Sequence, residues 1–151
     1  MRRKEKEIKN ITEIETIINE SPVCRIALSD NGLPYMIPVC FGYSDRHLYF
    51  HSANIGEKID ILKKNNNICF EFDIYEGLMT KGNPCEWDVL YKSVIGYGKA
   101  FFIDGSEEKI NALNIILKHY SDESFVFPEN QIRNVTVIKV DIEEITGKKS
   151  G

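Results

Sequence analysis

The chain has 151 residues, of which 42% are apolar and 28% charged, and its formal net charge is -4. That length suffices for a core of its own, and the acidic balance argues against a nucleic-acid binder, which usually shows a basic face. No apolar run of signal or membrane-spanning length follows the charged amino terminus, so a single soluble cytoplasmic domain, 1–151, is expected.

Thr12 with Glu15 three residues later forms a capping-box pattern, and Ile14, Ile17 and Ile18 follow at helical spacing. A helix over 12–20 is expected, ended by Pro22. Val23–Ser29 alternates, with Cys24, Ile26 and Leu28 on one face, and Asp30-Asn31-Gly32 supplies a hairpin turn. Tyr35–Tyr43 is the return strand and His47–Ala53 the third strand of a meander. Gly56–Lys64 reads as a short amphipathic helix stopped by the Asn65-Asn66-Asn67 run. Ile68–Tyr75 is a fourth strand, and residues 76–86 a loop. Trp87–Ile103 is long and extended, with a bend expected at Gly96 or Gly98. Ser106 is placed to cap a helix reaching Tyr120, and a loop with Pro128 leads to a last strand at Val135–Ile142. Residues 148–151 read as a polar tail. Six or so strands and three helices, without strand–helix alternation, predict a mainly β (α+β) antiparallel barrel rather than a parallel dinucleotide fold. Cys24, Cys40, Cys69 and Cys85 lack the spacing of a zinc or redox motif, so reduced thiols and no metal site are expected.

Three stretches hold candidate chemistry. In Phe50-His51-Ser52-Ala53-Asn54-Ile55-Gly56-Glu57-Lys58 a strand runs directly into a helix. Helix N-terminal N–H groups favour an anion, Ser52 adds a hydroxyl and Lys58 a charge, which together make a phosphate cradle. The plainer alternative is a corner whose serine merely caps the helix. Pro38 sits inside an otherwise central-looking strand, where it belongs at an edge or at an interruption that frees backbone groups of Ile37 and Val39. In Tyr91 to Ala100, Gly96 and Gly98 share a face and permit close approach of a ligand, a second subunit or simply another strand. Among the histidines, His51 adjoins the cradle, whereas His119 near a helix C-terminus is explained by the dipole. Arg2-Arg3-Lys4 is either a solvated end or within reach of an anionic ligand.

Taken in order, several segments resemble the pyridoxamine-phosphate-oxidase-like FMN-binding split-barrel family, and within it the nitroimidazole-resistance subgroup. These are Val23-Cys24-Arg25-Ile26-Ala27-Leu28, Pro34 to Val39, the Tyr-Phe-His-Ser-Ala run closing on Gly56 and Lys58, Tyr91 to Ala100, and Ile145-Thr146-Gly147-Lys148. The resemblance implies a six-stranded antiparallel split β-barrel with peripheral helices, and a homodimer with FMN at its interface. It places Ile37, Pro38 and Val39 along the isoalloxazine, and His51, Ser52, Ala53 and Lys58 on the phosphate. Tyr91, Ser93 and Val94 then line the pocket near the subunit boundary. Lys92 stands where the family often has arginine, which removes a bidentate fork. The pattern that recognises pyridoxal phosphate is not evident. The expected activity is an FMN-dependent reduction of a small electron-poor acceptor such as a nitroaromatic compound, with electrons from a nicotinamide donor and His51 as the candidate catalytic residue. The alternative is a non-catalytic flavin- or haem-binding protein, with His51 or His119 as axial ligand. A deazaflavin site would call for an added lysine cluster, which the motifs lack.

Overall fold

The computed structural model describes residues 3–151, so Met1 and, of the Arg2-Arg3-Lys4 cluster, Arg2 lie outside the described residues. In chain order the elements are β1 (Glu7–Ile8), α1 (Ile11–Glu20), β2 (Cys24–Asp30), β3 (Leu33–Val39), β4 (Phe41–Ser44), β5 (His47–Ala53), α2 (Glu57–Lys64), β6 (Asn67–Met79), β7 (Asp88–Ile103), α3 (Ser106–Tyr120), α4 (Glu129–Ile132) and β8 (Val135–Lys149). The strands form one antiparallel sheet in the order β3-β2-β6-β7-β8-β5-β4, with β1 added against β8. β3 and β4 occupy opposite ends of that path, yet only Cys40 separates them in the chain. The sheet must therefore curl until its two edges meet, which makes a barrel with an unzipped seam.

The inner face carries Phe41, Phe50, Phe70 and Phe72, all fully buried, and the Phe41 and Phe72 ring centroids are 4.8 Å apart. Each such ring contributes about 1.5–3 kcal/mol by leaving water. Helix α1 joins this core through Ile14, Ile17 and Ile18, and α2 through Ile59, Ile61 and Leu62. Helix α3 packs outside the barrel, with Ala112, Leu113 and Ile116 around Val137. It lies so close to β4 that a Cβ on Gly42 would sit 2.6 Å from the Ile115 carbonyl.

The architecture is the expected antiparallel barrel, with differences at its ends. The expected strand Tyr35–Tyr43 breaks at Cys40, because the chain there passes from one sheet edge to the other. The loop expected at 76–86 begins later. A bulge between Tyr75 and Gly77 absorbs one residue, and the β6–β7 ladder then resumes with Gly77 opposite Leu90. The resulting hairpin arm exposes Tyr75, Leu78, Met79, Trp87 and Val89. Nor are residues 148–151 a free tail: Lys148 and Lys149 stand opposite Ser93 and Lys92, and Ser150 N–H donates to the Tyr91 carbonyl at 2.8 Å. Both helix caps also shift. Asn10 rather than Thr12 caps α1, accepting from Thr12 N–H at 2.9 Å, and Ser106 is the first residue of α3, after Gly105. No described helix is long and apolar enough to cross a membrane. All four cysteines are free thiols, and burial pushes the Cys24 thiol far up.

Candidate functional site

The corner from β5 into α2 is built by Gly56, whose φ of 143° and ψ of 164° suit glycine alone. Gly56 O accepts from Ile59 N–H at 3.0 Å and Asp60 N–H at 3.1 Å. That leaves the Glu57 and Lys58 N–H groups without an intrahelical partner, as the first turn of any helix requires. No side chain caps this helix, and a Cβ built on Gly56 would meet nothing within 4 Å. The helix start is therefore not a serine-capped turn, and its N–H groups share the first turn with the Glu57 and Asp60 carboxylates. Ser52 and Ala53 stand opposite Thr136 and Val135, and Thr136 Oγ1 bonds Asn54 Oδ1 at 2.8 Å, fixing the link between strand and helix. His51 lies on the outer face of β5, exposed, with its pKa lowered first by desolvation and then by the nearby Lys58 charge. The structure thus brings His51, Ser52, Ala53 and Lys58 to one corner, with His51 favouring its neutral form.

Sheet closure carries the end of β3 toward this corner. One residue separates Val39 from Phe41, whose partner is Phe50, the neighbour of His51. Pro38 lies on an edge strand, as the rule for proline demands. The expected interruption of the ladder does not occur, however. Ile37, Pro38 and Val39 stay opposite Ile26, Arg25 and Cys24 in unbroken register, so Ile37 and Val39 are not freed in the way anticipated. Pro38 and the 67%-exposed Met36 are what this edge presents.

Tyr91, Ser93 and Val94 do not join the corner. His51 stands opposite Val137, and Val137 opposite Ile103 of β7, ten residues beyond Ser93 along the same strand. At ~3.3 Å per residue the two groups are about 33 Å apart along the ribbon. Val94 points into the core and is fully buried, so only its backbone is presentable to a ligand. Tyr91 and Ser93 lie on the outer face with the exposed Ile95 and Tyr97. Lys148 joins them: its Nζ donates to Tyr91 Oη at 2.7 Å and stands 5.3 Å from the ring centroid. Lys92 is engaged elsewhere, its Nζ 2.9 Å from Glu76 Oε1.

The close approach expected at Gly96 and Gly98 is real, and the chain itself fills it. A Cβ on Gly96 would lie 2.2 Å from Phe70 Cζ, and one on Gly98 2.2 Å from the Asp141 carbonyl oxygen. Two histidines are likewise occupied. His119 Nε2 lies 2.7 Å from the Ser21 carbonyl, with its ring beside Phe41 and Tyr120, and His47 Nε2 lies 3.3 Å from Asp141 Oδ1. Sequence reasoning missed Lys148 as a site residue because it took the segment for a tail. The available signal was Ile145 and Thr146, β-branched residues able to carry the last strand beyond Ile142.

The family model described as pyridoxamine 5'-phosphate oxidase matches residues 10–149. A candidate 5-nitroimidazole antibiotic resistance protein from Bacteroides thetaiotaomicron is 37% identical, with 95% of this chain and 86% of that chain covered and a TM-score of 0.86. The flavocytochrome Anf3 from Azotobacter vinelandii is 18% identical, over 100% and 72% of the two chains, at a TM-score of 0.89. An FAD- and haem-binding protein from Mycobacterium smegmatis is 16% identical, over 96% and 73%, at 0.87. At such identities the last two establish a shared fold. No curated protein matches the chain.

Proposed function

The chain belongs to the pyridoxamine 5'-phosphate oxidase family, and from that membership we propose that it is an FMN-dependent reductase of small electron-poor acceptors such as nitroaromatic compounds. In this proposal it works as a homodimer and draws electrons from a nicotinamide donor. The observation that carries the proposal is the uncapped helix start at Gly56, four residues after Ser52 and two before Lys58. It fits a phosphate monoester on chemical grounds: two unpaired N–H groups, a hydroxyl and an ammonium fall within one short segment, which also carries the Glu57 and Asp60 carboxylates. The 37% identity to the Bacteroides protein supports the acceptor class.

When bound, the flavin supplies the redox chemistry, and the protein supplies orientation and electrostatics. The corner would hold the phosphate through Ser52, Lys58 and the α2 N-terminus. The edge at Ile37, Pro38 and Val39 would offer an apolar wall to the ring system. Tyr91 and Ser93 are about 33 Å away along the ribbon, so a partner copy would bring its own pair to the site. The exposed Ile95, Tyr97 and Met36 on that outer face suit a surface that a second copy covers. His51, neutral near pH 7, would bond the ligand and hold a proton at a ring nitrogen. Its replacement by alanine should impair turnover more than FMN retention, and unchanged turnover would remove it from the mechanism.

A visible spectrum of the purified protein, with mass spectrometry of the ligand released by heat, tests the cofactor. FMN should appear, and Lys58→Met or Ser52→Ala should weaken its retention about tenfold, near 1.4 kcal/mol. A colourless protein that ignores added FMN would sink the proposal. The second reading is a haem-binding protein, and His51 favours it as the histidine without a hydrogen-bond partner among the described residues. His119 has its Nε2 engaged by the Ser21 carbonyl and keeps only Nδ1 for ligation. A Soret band lost in His51→Ala would establish that reading.

A further inference from the structure

We propose that Lys148, Tyr91 and Ser93 form a binding site for an oxygen atom that carries negative charge. The three residues come from two strands and meet through register alone. Ser93 stands directly opposite Lys148, and Tyr91 is its diagonal neighbour on the same face. Lys148 Nζ spends one of its three N–H bonds on Tyr91 Oη, at 2.7 Å. Because the phenol accepts that bond, its own hydrogen remains available to donate. The Ser93 hydroxyl, on a residue only 9% exposed, has no protein partner among the described residues. An ammonium, a phenol and an alcohol therefore each present a donor, and the Ser93 oxygen alone among them keeps its lone pairs unused.

The carboxylates nearby do not cancel this charge. Among the described residues, none lies within 4.0 Å of Lys148 Nζ. Glu7, opposite Lys148 on β1, lies 3.9 Å from Lys9, and Asp73, opposite Ser93 on β6, is bonded to Arg25. Tyr91 thus fixes the ammonium in place without neutralising it. A half-buried cation held by a neutral partner is better organised for an anion than a mobile surface lysine, whose side-chain entropy must be lost on binding.

Two sources share this chemistry. One is the carbonyl-bearing pyrimidine edge of a flavin held mainly by a partner copy, which rests on the function proposed above. The other is a carboxylate or nitro group of a small acceptor, which does not require a flavin for binding. The test titrates FMN and 4-nitrobenzoate separately into the full chain, reading flavin fluorescence for the first and the single tryptophan, Trp87, for the second. Wild type, Lys148→Met, Lys148→Arg and Tyr91→Phe are compared, with thermal melting to show that each is folded. Lys148→Met should weaken one of the two probes about tenfold, and Lys148→Arg should retain most of the affinity. Weakening confined to FMN assigns the flavin edge, and weakening confined to 4-nitrobenzoate assigns the acceptor. A wild-type chain that takes up 4-nitrobenzoate but no flavin defeats the flavin proposal and leaves this site standing. If Lys148→Met alters neither affinity, or wild type binds neither probe, the site is overturned and Lys148 only braces Tyr91.

Discussion

The two ends of the β7–β8 ribbon are built on opposite plans. At the β5–α2 corner, eight consecutive residues from His51 to Lys58 assemble a cluster of donors, and a single glycine conformation shapes the turn. At the far end, Tyr91, Ser93 and Lys148 are drawn from positions up to 57 apart in sequence and converge only because β7 and β8 stay paired on both sides of the register shift at Tyr97 and Gly98. A contiguous site depends on local backbone geometry, whereas a composite one depends on the integrity of a sheet. The two should therefore fail separately.

The severest break is in the ribbon between them. Gly98→Ala would drive a methyl against the Asp141 carbonyl, a backbone atom with little freedom to move. It should cost more than about 3 kcal/mol and disable both ends together, measured by urea denaturation. Gly56→Ala attacks the corner alone. A side chain at φ 143° is strained by about 1–3 kcal/mol, so flavin retention should fall while 4-nitrobenzoate binding at the far end is unchanged. Loss of both in a folded Gly56→Ala protein would mean that the two ends are one site. Tyr91→Phe attacks the far end alone and removes the acceptor that positions Lys148. It should reduce stability by only about 1 kcal/mol and lower flavin retention less than Gly56→Ala does.

The mildest effect is electrostatic. Desolvation, followed by the Lys58 charge, lowers the His51 pKa below its ordinary value of 6.5. Between the folded value and 6.5 the unfolded chain binds the proton and the native chain does not. His51 thus contributes stability that is complete above 6.5 and declines as pH falls through that window. A phosphate seated at the corner acts in the opposite direction, stabilising the charged imidazole. Adding FMN or inorganic phosphate should raise the His51 pKa in an NMR titration, and an unmoved titration would place the anion elsewhere.

The difference between the ends also explains what the sequence disclosed. The corner was legible because a strand ending in small polar residues before a helix is a local pattern. Cys24, Ile26 and Leu28 alternated as strand residues should, and they are core. Lys148 was illegible as a site residue because nothing within its own segment indicates that Ser93 stands opposite. Gly96 and Gly98 announced close packing without naming the neighbour, which proved to be Phe70 and the β8 backbone. Pro38 announced an edge, and the expected break in the ladder did not follow, since an edge strand tolerates a missing N–H without losing register.

The seam at Cys40 bears on how the chain can be rewired. β3 and β4 share no ladder, so a cut at that residue would sever one covalent link and no strand pairing. Glu7 lies opposite Lys148, so the beginning and end of the described chain already lie side by side. A circular permutant that joins those ends and opens at Cys40 would retain every strand partner while freeing the sheet to uncurl. Comparing its melting temperature with that of the parent would measure how much of the barrel's curvature is imposed by connectivity and how much by the aromatic core.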